Sequence, residues 1–283
     1  MRHYMSFGGG VQSTAVALLA INRDQRLLDA TGGHVPELYI FADTGDEPAD
    51  VYKNVRAMAE QIRNSGARFE TVFRYDDDRR RLSDQVCGSL EKGKQGGVHW
   101  IPAFVATDTS AAPLRRGCTV KYKIEAVHRA ARRLLEVKRG TKAPVLDSWM
   151  GISTDEIERV RDSREKWQVL SYPLIKMGWR RSDCANYIKA HSMTPVRSAC
   201  VFCPFRSNRE WQAMKDHSPG DFAEAVAFEN RLHAAFDALE SPRLNSKPYL
   251  HRSREPLGGV DFTGGQLDLP LGVQNECLGM CGV

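Results

Sequence analysis

The spacing of apolar and polar residues along this 283-residue chain predicts an alternation of strands and helices. Residues 3–7 form a short, partly apolar stretch that predicts a strand, and residues 13–22 (STAVALLAIN) have the alanine and leucine content of a helix. Residues 37–43 (ELYIFAD) read as a buried strand ending on an acid. Residues 49–64 read as a helix, and residues 68–75 (RFETVFRY) alternate as a strand does. The order β-α-β-α-β predicts an α/β fold with a doubly wound, mostly parallel sheet flanked by helices.

Between residues 76 and 116 the periodicity fades. DDDRRR, EKGKQGG and ATDTSAAP are polar and turn-rich, and predict a long mobile loop that could cover a substrate. Periodicity returns at Lys123, where Ile124, Val127, Ala131, Leu134 and Leu135 share one helical face and Arg129, Arg132 and Arg133 lie largely off it. Residues 145–152 (VLDSWMGI) predict another buried strand with a helix starting near Thr154. Further helices are expected over 180–191 and, as one long helical region, over 208–238. A Pro- and Gly-rich tail follows Ser241. This pattern divides the chain into an α/β domain over 1–198, with its loop at 76–116, and a C-terminal part over 199–283 holding a helical region and a flexible tail.

Composition narrows the classes. With 42% hydrophobic and 27% charged residues the chain reads as a soluble globular protein. No apolar run reaches membrane-spanning length and no secretory pattern opens the chain, so a cytoplasmic protein without a membrane partner is expected. The net charge of +5 is unevenly spread: residues 115–142 carry ten Lys/Arg against Glu125 and Glu136. Arg115, Arg116, Lys121 and Lys123 in that stretch are candidates for contact with phosphate or a nucleic-acid backbone, the alternative being a solvated helix face. Nothing in the sequence specifies or excludes a homo-oligomer.

Two features carry chemistry. The first is Ser6-Phe7-Gly8-Gly9-Gly10-Val11-Gln12-Ser13-Thr14, glycines at a strand-to-helix junction. Glycines let the backbone approach a ligand, and the helix N-terminus offers unpaired N–H groups to phosphate. A tight structural turn would look the same. The second is the grouping of seven cysteines: Cys200 and Cys203 as a CxxC followed by Pro204, Cys118 in the basic stretch, and Cys277 and Cys281 in the tail. A CxxC can hold a metal or cluster or act as a redox pair.

SFGGGVQST resembles the SGGxDS pyrophosphate-loop signature of the adenine-nucleotide α-hydrolase superfamily, and within it the phosphoadenosine phosphosulfate reductase family. Gly8 stands where that signature has its first Ser, and Gln12 where it has Asp. Further segments agree in order over roughly residues 1–205: Phe41-Ala42-Asp43-Thr44-Gly45, Arg116-Gly117-Cys118 through Lys123, Gly151-Ile152-Ser153-Thr154-Asp155-Glu156 with Arg159, and Tyr172-Pro173-Leu174 with its following helix. Ser153 stands where the family's segment carries Arg, and Ser153 with Glu156 also has the spacing of a helix capping box.

The resemblance implies a nucleotide site at Ser6, Gly8, Gly9, Gly10, Gln12, Ser13, Thr14, Asp43, Gly151 and Arg159, taking ATP or an adenylyl sulfate nucleotide. Mg²⁺ would accompany the phosphates, although Gln12 has no carboxylate to offer it. It implies a [4Fe–4S] cluster on Cys118, Cys200 and Cys203, with either Cys184 as the fourth ligand or one iron left open for sulfur or substrate, zinc being the alternative metal. The tail segment ECLGMC is similar to the family's ECGLH segment, which implies Cys277 as a nucleophile with Cys281 beside it. Three functions remain open. One is ATP-dependent, adenylylating sulfur transfer to tRNA or DNA, fed by a sulfur donor such as a cysteine desulfurase. The second is sulfonucleotide reduction with thioredoxin. The third is non-catalytic binding of a nucleotide or nucleic acid.

Overall fold

A computed structural model of the chain describes residues 1–74, 80–94, 101–106, 111–114, 117–240, 242 and 246–263. Its centre is an all-parallel sheet of five strands, β1 (Arg2–Ser6), β2 (Leu38–Ala42), β3 (Arg68–Val72), β6 (Leu146–Trp149) and β7 (Gln168–Ser171), in the order β3-β2-β1-β6-β7. The helices are α1 (Val11–Ile21), α2 (Gln25–Thr31), α3 (Ala49–Asn64), α4 (Leu82–Leu90), α5 (Glu125–Leu134), α6 (Pro173–Lys176), α7 (Arg181–Ala190), α8 (Asn208–His217) and α9 (Pro219–Asp237). A two-stranded antiparallel ladder, β4 (Phe104–Ala106) with β5 (Ala111–Pro113), stands apart from the sheet. Among the described residues no helix is long and apolar enough to cross a membrane.

The period of two within each strand divides the core between the sheet's faces. Met5, Tyr39 and Phe41 pack with α1, α3 and α7, whereas Tyr4, Leu38, Ile40 and Ala42 pack with α5 on the opposite face. All five residues of β2 are buried, as expected of a strand covered on both sides. The chain runs from β1 outward to β2 and β3, then returns to lay β6 on the other flank of β1. The carboxyl ends of β1 and β6 therefore border the switch point where open α/β sheets bind ligands.

Several sequence expectations are corrected. The stretch 76–116 contains α4 and the β4–β5 ladder as well as polar turns; Leu82, Val86 and Leu90 fall at helical spacing and are buried. The segment after Ser153 is a short 3-10 turn, Thr154–Arg159, with Glu156 off helical dihedrals. The long helical region over 208–238 is two helices, because Ser218 caps α8 and Pro219 opens α9. Neither α2 nor β7 is anticipated by the pattern above.

A second core lies beyond the sheet. It joins Leu82, Val86 and Leu90 of α4, Ile101, Tyr122, Val201 and Phe202 to Trp211, Phe228, Leu232, Leu257 and Phe262. It thus draws on residues from both sides of position 198. Buried Glu229 of α9 accepts hydrogen bonds from the backbone N–H groups of Leu250 (2.7 Å) and Leu257, which fastens the 246–263 segment to the helices.

Candidate nucleotide site and its neighbouring thiol

The glycine turn follows β1 and leads into α1. Gly9 has a positive φ of 74°, and a Cβ there would lie 2.9 Å from Val55 Cγ2. Gly10 caps α1; its N–H donates to Ser13 Oγ (3.1 Å), and Ser13 Oγ donates back to Gly10 O (3.1 Å). Asn54 of α3 braces the turn, donating to Gly9 O (3.0 Å) and to Thr14 Oγ1 (2.9 Å). Ser6, Gly8, Phe41, Ala42, Val127 and Lys123 line a small cavity at the strand ends. The turn is thus held rigidly with its backbone toward the sheet's carboxyl edge, as an oxyanion cradle requires.

On the β6 flank, Gly151 is packed so closely that a Cβ would meet Ser13 N at 2.8 Å. Beyond it lies a buried network centred on Gln12. Its Nε2 donates to Glu156 Oε2 (3.1 Å) and Ser153 Oγ (3.3 Å), and its Oε1 accepts from Arg181 Nη1 (3.0 Å). Glu156 also pairs with Arg159 at 2.8 Å. The capping-box alternative for Ser153 and Glu156 fails: Ser153 makes no side-chain cap and instead donates to Asp155 Oδ1 (2.5 Å). Gln12 is the junction because a carboxamide donates at one end and accepts at the other. A carboxylate at position 12 would face Glu156 with no proton to give.

On the β2 flank, Asp43 Oδ1 accepts from Gly45 N–H and Tyr52 O–H, both at 2.8 Å, so this oxygen shapes the turn after β2. Next along the loop, Asp46 is wholly buried and takes Ser83 N–H (2.9 Å), Ser83 O–H (2.8 Å) and the Arg81 guanidinium (2.7 Å). Burial raises the Asp46 pKa and those donors oppose the rise. Glu47 pairs with Lys123 at 2.9 Å, with side chains 0% and 9% exposed.

Cys200 Sγ touches this pair, 3.9 Å from Glu47 Oε1 and 3.3 Å from Thr44 Oγ1. Burial and then the Glu47 carboxylate push the Cys200 thiol well up, against the pull of the Lys123 ammonium. The CxxC folds as a tight turn, with Cys203 N–H donating to Cys200 O (2.9 Å). Arg206 Nη2 donates to the carbonyls of Ala199 (3.1 Å) and Cys200 (3.0 Å). Burial, with Arg197 nearby, pushes the Arg206 guanidinium down to about 10, while the sulfurs of Cys203 and Cys200 oppose the shift.

The expected ligand set is only partly drawn together. Cys118 opens a π-helical turn, Thr119–Ile124, and borders the second core, as Cys200 does. Cys184 lies elsewhere, buried in α7 within the first core among residues of α1, and burial pushes its thiol up to about 12. Among the described residues no three His, Cys, Asp or Glu side chains gather as metal ligands. Arg115, Arg116, Cys277 and Cys281 lie outside the described residues. Part of the basic stretch is paired within the chain: Lys123 holds Glu47 in the interior, and at the surface Lys121 pairs with Glu125 (2.9 Å) and Arg129 Nη2 donates to the carbonyls of Phe73 (3.0 Å) and Arg74 (2.5 Å).

Sequence reasoning passed over Glu47, Asn54, Arg181 and Arg206. Glu47 had a signal, since two acids directly follow Thr44-Gly45; Asn54 and Arg181 reach the site over long chain separations that no local pattern marks, while Arg206 bonds carbonyls only six and seven residues back. Compared with known proteins, the chain matches no family model and no curated protein.

Proposed function

We propose that this chain is an ATP-dependent enzyme that adenylylates an oxygen of a nucleic acid and replaces it with sulfur. The observation that carries the reading is a chain of contacts from the glycine turn to a half-buried thiol: Lys123 lines the cavity at Gly8 and, through Glu47, reaches Cys200. A nucleotide's phosphates would meet the N–H groups of the glycine turn and the first turn of α1. The acceptor oxygen attacks the α-phosphorus of ATP, a P–O bond forms, and pyrophosphate leaves. A sulfur nucleophile then attacks the activated centre and AMP leaves with the oxygen. The attacking atom is the outer sulfur of a donor persulfide of the kind a desulfurase makes, and a thiol reductant then breaks the S–S bond that still joins product and donor, leaving with the donor sulfur as a disulfide.

In this scheme Lys123 and Glu47 fix the position of Cys200, and the Gln12 network fixes the start of α1. The terminal cysteines, Cys277 and Cys281, are the second source of a nucleophilic thiol. The test is release of pyrophosphate from ATP by anaerobically purified protein, with and without RNA or DNA. Release stimulated by nucleic acid, and lost in Gly10→Pro, supports the proposal. Sulfite release from an adenylyl sulfate with thioredoxin, without ATP cleavage, would replace it with sulfonucleotide reduction. Nucleotide binding with neither activity would leave a binding protein.

A further inference from the structure

A cleft of about 650 Å³ opens between the 3-10 turn Thr154–Arg159 and the start of α7. Thr154, Asp155, Arg180, Arg181, Ser182 and Ala185 line it. Its size falls within the roughly 300–1,000 Å³ that small organic ligands occupy, well beyond what one inorganic anion fills. It lies on the far side of Gln12 from the glycine turn, and the Arg181–Gln12 hydrogen bond is the link between the two.

The lining is chemically mixed in a specific way. Arg180 is exposed, and its guanidinium makes no hydrogen bond or ion pair among the described residues. Arg181 is engaged by the buried network, donating to Gln12 Oε1. Between them stands Asp155, whose carboxylate takes the Ser153 hydroxyl (2.5 Å) and the Arg181 backbone N–H (3.1 Å). An acid so placed repels a compact polyanion and accepts a hydroxyl. Behind the wall, buried Arg159 keeps an Nε with no hydrogen-bond partner among the described residues, an unused donor within the same network. Cations flanking a hydroxyl acceptor match a sugar-phosphate unit better than a pyrophosphate.

We infer that this cleft is the acceptor subsite, in which Arg180 holds a phosphodiester of the nucleic acid, beside the engaged Arg181, and Asp155 faces its sugar. The inference rests on the reading above for its substrate class, and its test requires no turnover. The nucleotide's own leaving group also carries phosphate oxyanions, and the experiment separates the two sources.

The measurement is fluorescence anisotropy of a dye-labelled single-stranded RNA, and of the DNA of the same sequence, over a series of salt concentrations. Wild type is compared with Arg180→Gln, a surface change, and ATP binding is measured in parallel by calorimetry. Arg180→Gln is expected to weaken oligonucleotide binding about tenfold and to shrink the salt slope by about 1, leaving ATP affinity unchanged. Inorganic pyrophosphate at saturating concentration should fail to displace the oligonucleotide. An unaltered oligonucleotide affinity and slope in Arg180→Gln overturns the inference. So does loss of ATP and oligonucleotide binding together, or displacement by pyrophosphate, either of which assigns the cleft to the nucleotide. Arg180-dependent binding without any ATP cleavage would sink the proposed reaction and leave the subsite standing.

Discussion

Two buried polar networks flank the glycine turn, each holding a buried ion pair, and they differ in the residue at the junction. On the β6 side the junction is a neutral amide, Gln12, which donates to Glu156 and accepts from Arg181. On the β2 side the junction is an ion pair, Lys123 with Glu47, pressed against the Cys200 thiol. The amide carries no charge of its own, and the Glu156 carboxylate it bonds keeps its ion pair with Arg159, 2.8 Å away, when the amide is lost. Removing one member of the Lys123–Glu47 pair instead leaves a charge without solvent or partner. The glycine turn is therefore held by one adaptable flank and one fixed flank, and the thiol belongs to the fixed one.

The sharpest way to break this contrast is to remove one charge. Lys123→Met is expected to destabilise the protein by about 3–5 kcal/mol, read from the shift of the urea midpoint at constant slope. The double variant Lys123→Met with Glu47→Gln should recover much of that loss. A single-variant cost below about 1 kcal/mol would mean that the pair behaves as an exposed one, and the contrast would collapse.

The adaptable flank predicts smaller losses. Gln12→Leu leaves Glu156 and Arg181 each without one partner and should cost about 1–3 kcal/mol. Gln12→Glu should cost at least as much, because it sets a second carboxylate against Glu156. Gly151→Ala belongs to the same flank by a different mechanism: its Cβ would lie 2.8 Å from Ser13 N, a backbone atom with little freedom to retreat. That crowding is expected to cost about 1–3 kcal/mol and to weaken ATP binding. Unchanged ATP affinity in Gly151→Ala would show that the first turn of α1 does not carry the phosphates.

These networks also mark what the sequence could and could not reveal. The strands ELYIFA and VLDSW, the helix over 49–64 and the glycine turn were legible because each is a local pattern with its own period. The turn at Ser153–Glu156 reads as a capping box, yet its carboxylate serves Gln12, 144 residues away in the chain. Helix α4 was hidden because LSDQVCGSL is short and lies between polar runs, and its apolar face is completed only by α9. The mixed QVLS of β7 becomes a strand by pairing with β6. Arg181 gave no local signal because its partner Gln12 lies 169 residues away, whereas Arg206 bonds carbonyls only six and seven residues back and was passed over within the CxxC segment itself.

Acid sensitivity extends the comparison to the second core. Buried His251 contacts Ser253 Oγ through Nδ1 (2.8 Å) and Asn208 Oδ1 through Nε2 (3.0 Å). Burial first, then the Arg252 charge, pushes its pKa from 6.5 down to about 4. A histidine held neutral in the folded state contributes stability that is fully present above pH 6.5 and is lost as pH falls toward 4. His251→Gln should therefore be less stable than wild type at pH 8, while its stability declines less steeply between pH 6.5 and 4. Parallel pH profiles for the two proteins would remove His251 as the cause.

The smallest expected effect isolates burial within a single turn. Lys121 and Lys123 stand two residues apart, and both pair with a glutamate at 2.9 Å. The Lys121 and Glu125 side chains are 49% and 46% exposed, so water and salt screen their attraction. Lys121→Ala is expected to cost only about 0.3–0.5 kcal/mol, falling further in high salt. Equal pairing distances with costs differing several-fold would assign the difference to burial alone. If Lys121→Ala instead matched Lys123→Met, the exposed face of this turn would be covered in solution, and the basic stretch would have to be read as an interface.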